Sequence, residues 1–282
     1  MVNNWISGYV LNRLGYPTQP RRVMASRNPV LIRATGEQIG ATNQFSSDGL
    51  GNPRDHGLDA RMTLDDVIVK TGMLFAVLLV GAYFGWTSVV GNPSIMMIAM
   101  VIGLVLAITN SFKREVSPAL VLAYGAAQGV FIGGLSRFFN DAFAEKAPNL
   151  VSQAVLGTLV AFGVMLFMYK TGVIKVNAKF VKVFMISMVS YLVISVASFI
   201  STMVSSGSNW GFFGAGSLGM ILCMFGVALA SFSLVMDFEM IQQGIQSGLP
   251  EKESWRMAFG LTVSLVWLYT ELLRLLAIFS DR

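Results

Sequence analysis

Asp237 and Glu271 are carboxylates in a setting that rarely tolerates them. The first closes a long uncharged apolar run, 219–236, and the second lies inside another, 257–279, which is broken otherwise only by Arg274. An acidic residue near the centre of a membrane helix costs roughly 2.5–3.5 kcal/mol on insertion scales, so such residues face a bundle interior or a wet path. Their chemistry is that of hard oxygen: they take up protons, and when ionised they attract calcium.

Their spacing adds a geometric expectation. Two antiparallel helices bring residues level when the connecting turn falls at the sequence midpoint, which for this pair is residue 254. The turn signal Gly248-Leu249-Pro250, followed by charges at 251–253, comes a few residues earlier. The helix bearing Asp237 can run on towards that turn, because Phe238, Ile241 and Ile245 keep an apolar face while Glu239, Gln242, Gln243 and Gln246 are polar, with Gly248 as a C-cap neighbour. At 1.5 Å per residue the remaining offset is on the order of one helical turn, so the two carboxylates are expected to be able to meet. Two such groups in a partly desolvated site resist ionising together and titrate as a unit, which makes them a proton sensor. With both protons gone they become candidate calcium ligands. The structural alternative is that Arg274, one turn along the same helix, neutralises Glu271, with Asp237 hydrated at the membrane interface.

The elements that must position these groups are membrane helices. The chain is 54% apolar and 12% charged, where soluble domains carry about 25% charged residues. Uncharged runs at 71–90, 94–112, 117–136, 149–169, 183–204 and 219–236, with the interrupted run at 257–279, predict seven spans and an all-α, polytopic membrane protein. Before them, residues 1–65 are polar and rich in turn formers, which predicts a mostly disordered cytoplasmic tail preceding a transmembrane domain over 66–282. No cleavable signal peptide is visible at the start of the chain.

Basic residues set the expected orientation. With the amino terminus inside, 16 of the 20 lysines and arginines fall on the cytoplasmic side, and Arg137, Lys146, Arg274 and Arg282 fall outside. An odd number of spans then puts the carboxyl terminus outside. The net charge of +5 is therefore a topology signal and no argument for nucleic acid.

Other polar and small residues carry weaker signals. Gly125, Gly129 and Gly133 form a stripe suited to close helix packing, and Gln128 beside it can hydrogen-bond across the contact or line a path. Ser187, Ser190, Ser195, Ser198 and Ser201 share one side of a helix that is too polar for lipid, so Ser190 and Ser198 are expected to face inward as packing or pathway residues. The lone Cys223 reads as a buried structural thiol and the lone His56 as a solvated tail residue.

LVWLYTELLRLLAIF at 265–279 resembles the last-helix signature of the Bax inhibitor-like family, also called the transmembrane Bax-inhibitor-motif family. MDFEMIQQG at 236–244 resembles its preceding aspartate-bearing helix end, and ASRNPVLIR with RMTLDDVIVKTG, at 25–33 and 61–72, resembles the amino-terminal part of bacterial members. The family-like sequence begins near Met24, so residues 1–23 are expected to be dispensable. The resemblance implies a seven-helix fold with a central last helix, a pH-sensitive calcium leak, cytoprotection in eukaryotes, and in some bacteria restraint of a membrane-anchored AAA protease. It maps the acid pair onto Asp237 and Glu271, with Glu standing where the wider family has Asp. By position it makes Arg114 and Lys113 candidates for a basic latch near the inner mouth.

Function classes narrow accordingly. No GxSxG, HExxH or GxGD motif offers a catalytic set, so an enzyme is not expected, nor is a cofactor. The expected activity is a pH-responsive, calcium-permeable leak channel of the cell membrane, gated by the carboxylate pair, with calcium as permeant ion. The alternative is a regulator of a membrane protease or stress response without transport.

Overall fold

In a computed structural model of the chain, the described residues are 60–204, 211–214 and 216–281. Their elements are α1 (Leu64–Ser88), α2 (Ser94–Phe112), α3 (Pro118–Ala142), α4 (Leu150–Lys170), α5 (Ala178–Val204), α6 (Gly216–Gln246) and α7 (Ser254–Ser280), with short 3₁₀ turns at Gly211–Gly214 and Glu251–Glu253. All seven α-helices contribute a span long and apolar enough to cross a membrane. At 27 residues, α7 is about 40 Å long, which exceeds a hydrocarbon core of about 30 Å.

Local chemistry sets the helix ends. Thr63 and Asp66 form a capping box at the start of α1: the Asp66 amide donates to Thr63 Oγ1 over 3.2 Å, and the Thr63 amide donates to Asp66 Oδ2 over 3.0 Å. Pro118 opens α3, where its missing N–H costs nothing. After α6 the chain turns at Gly248, whose φ of 66° lies in the left-handed region. The amide of Leu249 then closes on the Gly244 carbonyl at 3.1 Å.

The last helix is the centre of the bundle, as expected. Of its span 56% is buried, against 11% for α2 and 17% for α4 and for α5. It packs directly on α1, α3, α4 and α6. The α5 helix reaches it through the Tyr191 ring, 5.9 Å from that of Trp267, and α2 through Leu106 and Ala107, which pack against the Leu74, Val121, Tyr124 and Phe259 cluster.

Between α1 and α3 the glycine stripe is a packing device. A Cβ on Gly129 would come within 3.0 Å of the Gly81 Cα, and one on Gly81 within 3.2 Å of the Gly129 Cα. The two backbones touch where side chains would hold them apart.

The expected tail lies outside the described residues up to position 59, together with His56 and the 1–23 segment. From Ala60 the chain is anchored: Met62 N–H donates to the Leu249 carbonyl over 2.8 Å and Glu251 N–H to that of Ala60 over 2.6 Å. The Met62 side chain, 2% exposed, packs with Val67, Ile241 and Met257. Residues 60–65 thus belong to the bundle, a boundary earlier than the expected 66. One apolar side chain among polar neighbours makes the anchor, and no periodicity marks it.

Candidate functional site

Glu271 is held by its own helix and by two others. On α7, Trp267 and Arg274 stand four residues before it and three after, so all three share a face. Trp267 Nε1–H donates to Glu271 Oε1 over 3.1 Å, and Arg274 reaches Oε2 at a long 3.4 Å. From α5, the Tyr191 hydroxyl donates to Oε1 over 2.8 Å. On α6, Gly226 faces the other oxygen, where a Cβ would lie 2.8 Å from Oε2. The carboxylate is 3% exposed, so charge pairing and donors replace water around it. The guanidinium of Arg274 also lies 4.6 Å over the Phe213 ring and contacts the buried thiol of Cys223.

Asp237 sits elsewhere. It faces Gly260, where a Cβ would lie 3.5 Å from Oδ1, and it lies beside Ser264. Its Oδ2 is buried and has no hydrogen-bond partner among the described residues. Thr71 Oγ1 is in the same state. Thr71 stands on the α1 stripe between Val67, which packs on Ile241 and Met257, and Phe75, which packs on Leu234, Phe238 and Leu261.

The expected meeting of the two acids therefore does not occur in this conformation. Gly226 faces Glu271 and Gly260 faces Asp237, so eleven residues separate the two levels on either helix, about 16 Å along the axis. Both facing pairs centre on the turn at 248–250, not on residue 254. Every residue by which a turn precedes the midpoint displaces the partner by two. Asp237 and Glu271 thus do not ligate one ion together here, and among the described residues no three His, Cys, Asp or Glu side chains form a metal-binding group. The pairing of Glu271 with Arg274, weighed as the structural alternative, is present.

The remaining candidates separate by placement. Lys113 and Arg114 have exposed side chains, while their backbone carbonyls accept from Arg256 at 3.3 and 2.8 Å. The basic residue that ties this loop to α7 is Arg256. Gln128 Oε1 lies against Gly103 of α2, 2.8 Å from where a Cβ would stand, in a helix contact. Ser198 is buried and its Oγ accepts the Phe212 amide over 3.0 Å. Ser190 is exposed, because it lies about 100° round the helix from its buried neighbour Tyr191.

Beside Glu271 lies a cavity of ≈ 1130 Å³ between α2 and α3 on one side and α5 on the other, with α7 as its floor. Glu271, Tyr191 and Trp267 form part of its wall. The two acids thus occupy different compartments. Trp267 and Arg274 were legible as helical neighbours of Glu271, but nothing in the sequence pairs Tyr191 with a residue 80 positions away.

A seven-helix bundle around a central helix that carries a buried glutamate, with a second carboxylate, Asp237, inside the neighbouring span, defines a multi-pass membrane protein that sits in a lipid bilayer. A family model described as Bax inhibitor 1 like matches residues 28–281, and the chain belongs to that family. No curated protein matches it.

Proposed function

We propose that the protein is a proton-responsive leak pathway for calcium in the cell membrane, with Asp237 and Glu271 as two separate stations along it. The observation that carries this reading is the buried, unpartnered Oδ2 of Asp237 in a membrane span. An acceptor with no donor in a packed interior is satisfied by a proton or by a cation, and the two compete for it. Glu271 is the second station: its carboxylate is set by donors from other side chains, and its wall opens on a cavity. Protonation removes the charge that attracts calcium at each. The Bax inhibitor-like resemblance supports the same activity, which requires neither a catalytic residue nor a cofactor.

The test is calcium flux in proteoliposomes at two pH values on either side of neutrality. Flux at subsaturating calcium should be larger at the higher pH, where fewer protons compete with calcium. Asp237→Asn should flatten the pH response. Absence of flux, or a response unchanged by that substitution, would reject the reading in favour of a regulatory role towards a membrane protease. The proposed topology puts the amino terminus in the cytoplasm and the carboxyl terminus outside, on the 16 to 4 distribution of basic residues. A reporter fused after Arg282 that is active in the cytoplasm would overturn it.

A further inference from the structure

The cavity beside Glu271 opens sideways, towards the surroundings of the bundle. The α5 helix packs on α6 and on the Gly211–Gly214 turn, which leaves a crevice between α5 and the α2 and α3 helices. Its rim is made of side chains such as Met97, Phe138, Val189, Leu192 and Phe199, all apolar and well exposed. In a bilayer that surface meets hydrocarbon.

The crevice is polar at one end. Ser198, Thr202, Thr270 and Arg274, with Glu271 beside them, line it towards the carboxyl-terminal ends of α5 and α7 among apolar Phe199 and Phe213, while Met185 and Met188 line it far along α5. Met185 and Thr202 stand seventeen residues apart on one helix, about 25 Å. A long apolar slot with polar groups gathered near a helix end has the shape of an amphiphile. Its ≈ 1130 Å³ exceeds the roughly 300–1,000 Å³ of ordinary small-molecule pockets.

Arg274 sets the charge of the occupant. A guanidinium carries five N–H donors. Here it makes one long hydrogen bond, 3.4 Å to Glu271 Oε2, together with contacts to Cys223 and to the Phe213 ring face. Glu271 in turn draws two of its hydrogen bonds from Tyr191 and Trp267 through its other oxygen. Among the described residues the other donors of Arg274 meet no further hydrogen-bonding oxygen. Arg274 lies six residues from the end of α7, about 9 Å of helix, and its guanidinium turns back onto Glu271 in the polar part of the crevice.

We infer that this crevice binds an anionic phospholipid, with one acyl chain lying among Leu135, Met188 and Phe199 and the headgroup phosphate accepting from Arg274. Charge-assisted bonds from an arginine suit a phosphate, and the apolar walls suit the chain. The assignment rests on the shape and lining of the crevice and not on the calcium reading, although its occupant lies beside Glu271, the second proposed station.

Native mass spectrometry of the full chain in detergent, titrated separately with phosphatidylglycerol and phosphatidylcholine, tests the assignment. The first phosphatidylglycerol should bind about tenfold more tightly than the first phosphatidylcholine, a difference within the range of one charge-assisted contact. Arg274→Gln should bring the two affinities together. Ser195→Trp, which fills the slot and leaves the ion pair in place, should abolish the tight first event for both lipids, and it carries the test by itself if the arginine variant does not fold. Equal affinities in the parent chain would overturn the proposal. So would a preference that survives Ser195→Trp, since it would then arise at another basic site such as Arg137 or Lys146.

Discussion

The Tyr191 hydroxyl donates to Glu271 Oε1 over 2.8 Å, linking α5 to the central α7. The link crosses a wall of the cavity that α5 otherwise leaves open, and Tyr191 keeps ring contacts with Phe213 and Trp267 at 6.1 and 5.9 Å. Tyr191→Phe retains those ring contacts and removes the donor. Hydrogen bonds to charged groups are worth about 1.5–3 kcal/mol, so thermal unfolding in detergent should show a loss of that order. In Glu271→Gln the same tyrosine substitution should cost less, because the two share one interaction. Equal costs in both backgrounds would show that the bond carries no stability.

Separation of the acids makes their contributions independent. Substitutions farther apart than about 7–10 Å with no shared partner add, and Asp237 and Glu271 stand about 16 Å apart along the helix axes. The changes in the pH profile of flux caused by Asp237→Asn and Glu271→Gln should therefore sum in the double variant. A double variant no different from either single one would indicate that the pair comes together in another conformation.

Glycines in the bundle divide by what faces them. Gly81 meets the Gly129 Cα at 3.2 Å from a built Cβ, whereas Gly163 has nothing within 4 Å. Gly81→Val should destabilise by about 1–3 kcal/mol or prevent folding, as overpacking does. Gly163→Ala should be neutral or stabilise by up to about 1 kcal/mol through helix propensity. Unfolding midpoints of the two variants, measured side by side, decide the matter, and similar losses in both would reject close packing of α1 on α3.

Lys70 ties α1 to the turn before α7, with its Nζ 2.8 Å from Glu251 Oε1 and 3.1 Å from the Glu251 carbonyl. The lysine side chain is 11% exposed and the glutamate 46%, so solvent screens the pair from one side. Lys70→Met should cost about 1 kcal/mol and loosen the turn, read as faster proteolysis at 248–253. Glu251→Gln should cost less, since the carbonyl acceptor remains. A larger loss from Glu251→Gln than from Lys70→Met would contradict this assignment.

Much of this protein was present in one dimension. Long uncharged runs determined seven membrane helices, because a backbone in hydrocarbon must satisfy its own hydrogen bonds. The Gly125, Gly129 and Gly133 stripe determined a close helix contact, and the positions of Trp267 and Arg274 relative to Glu271 determined that they share its face, since helical periodicity is a local property. Tertiary structure decided what depends on register and on distant partners. The turn at Gly248 was legible, but its distance from the midpoint counts twice in the register, so Asp237 stands opposite Gly260 and Glu271 opposite Gly226, eleven residues apart and not about one turn. Rotation of α5 about its axis exposed Ser190 and buried Tyr191, and the gap beside α5 made a cavity. These outcomes follow from packing among segments far apart in the chain, which no local pattern encodes.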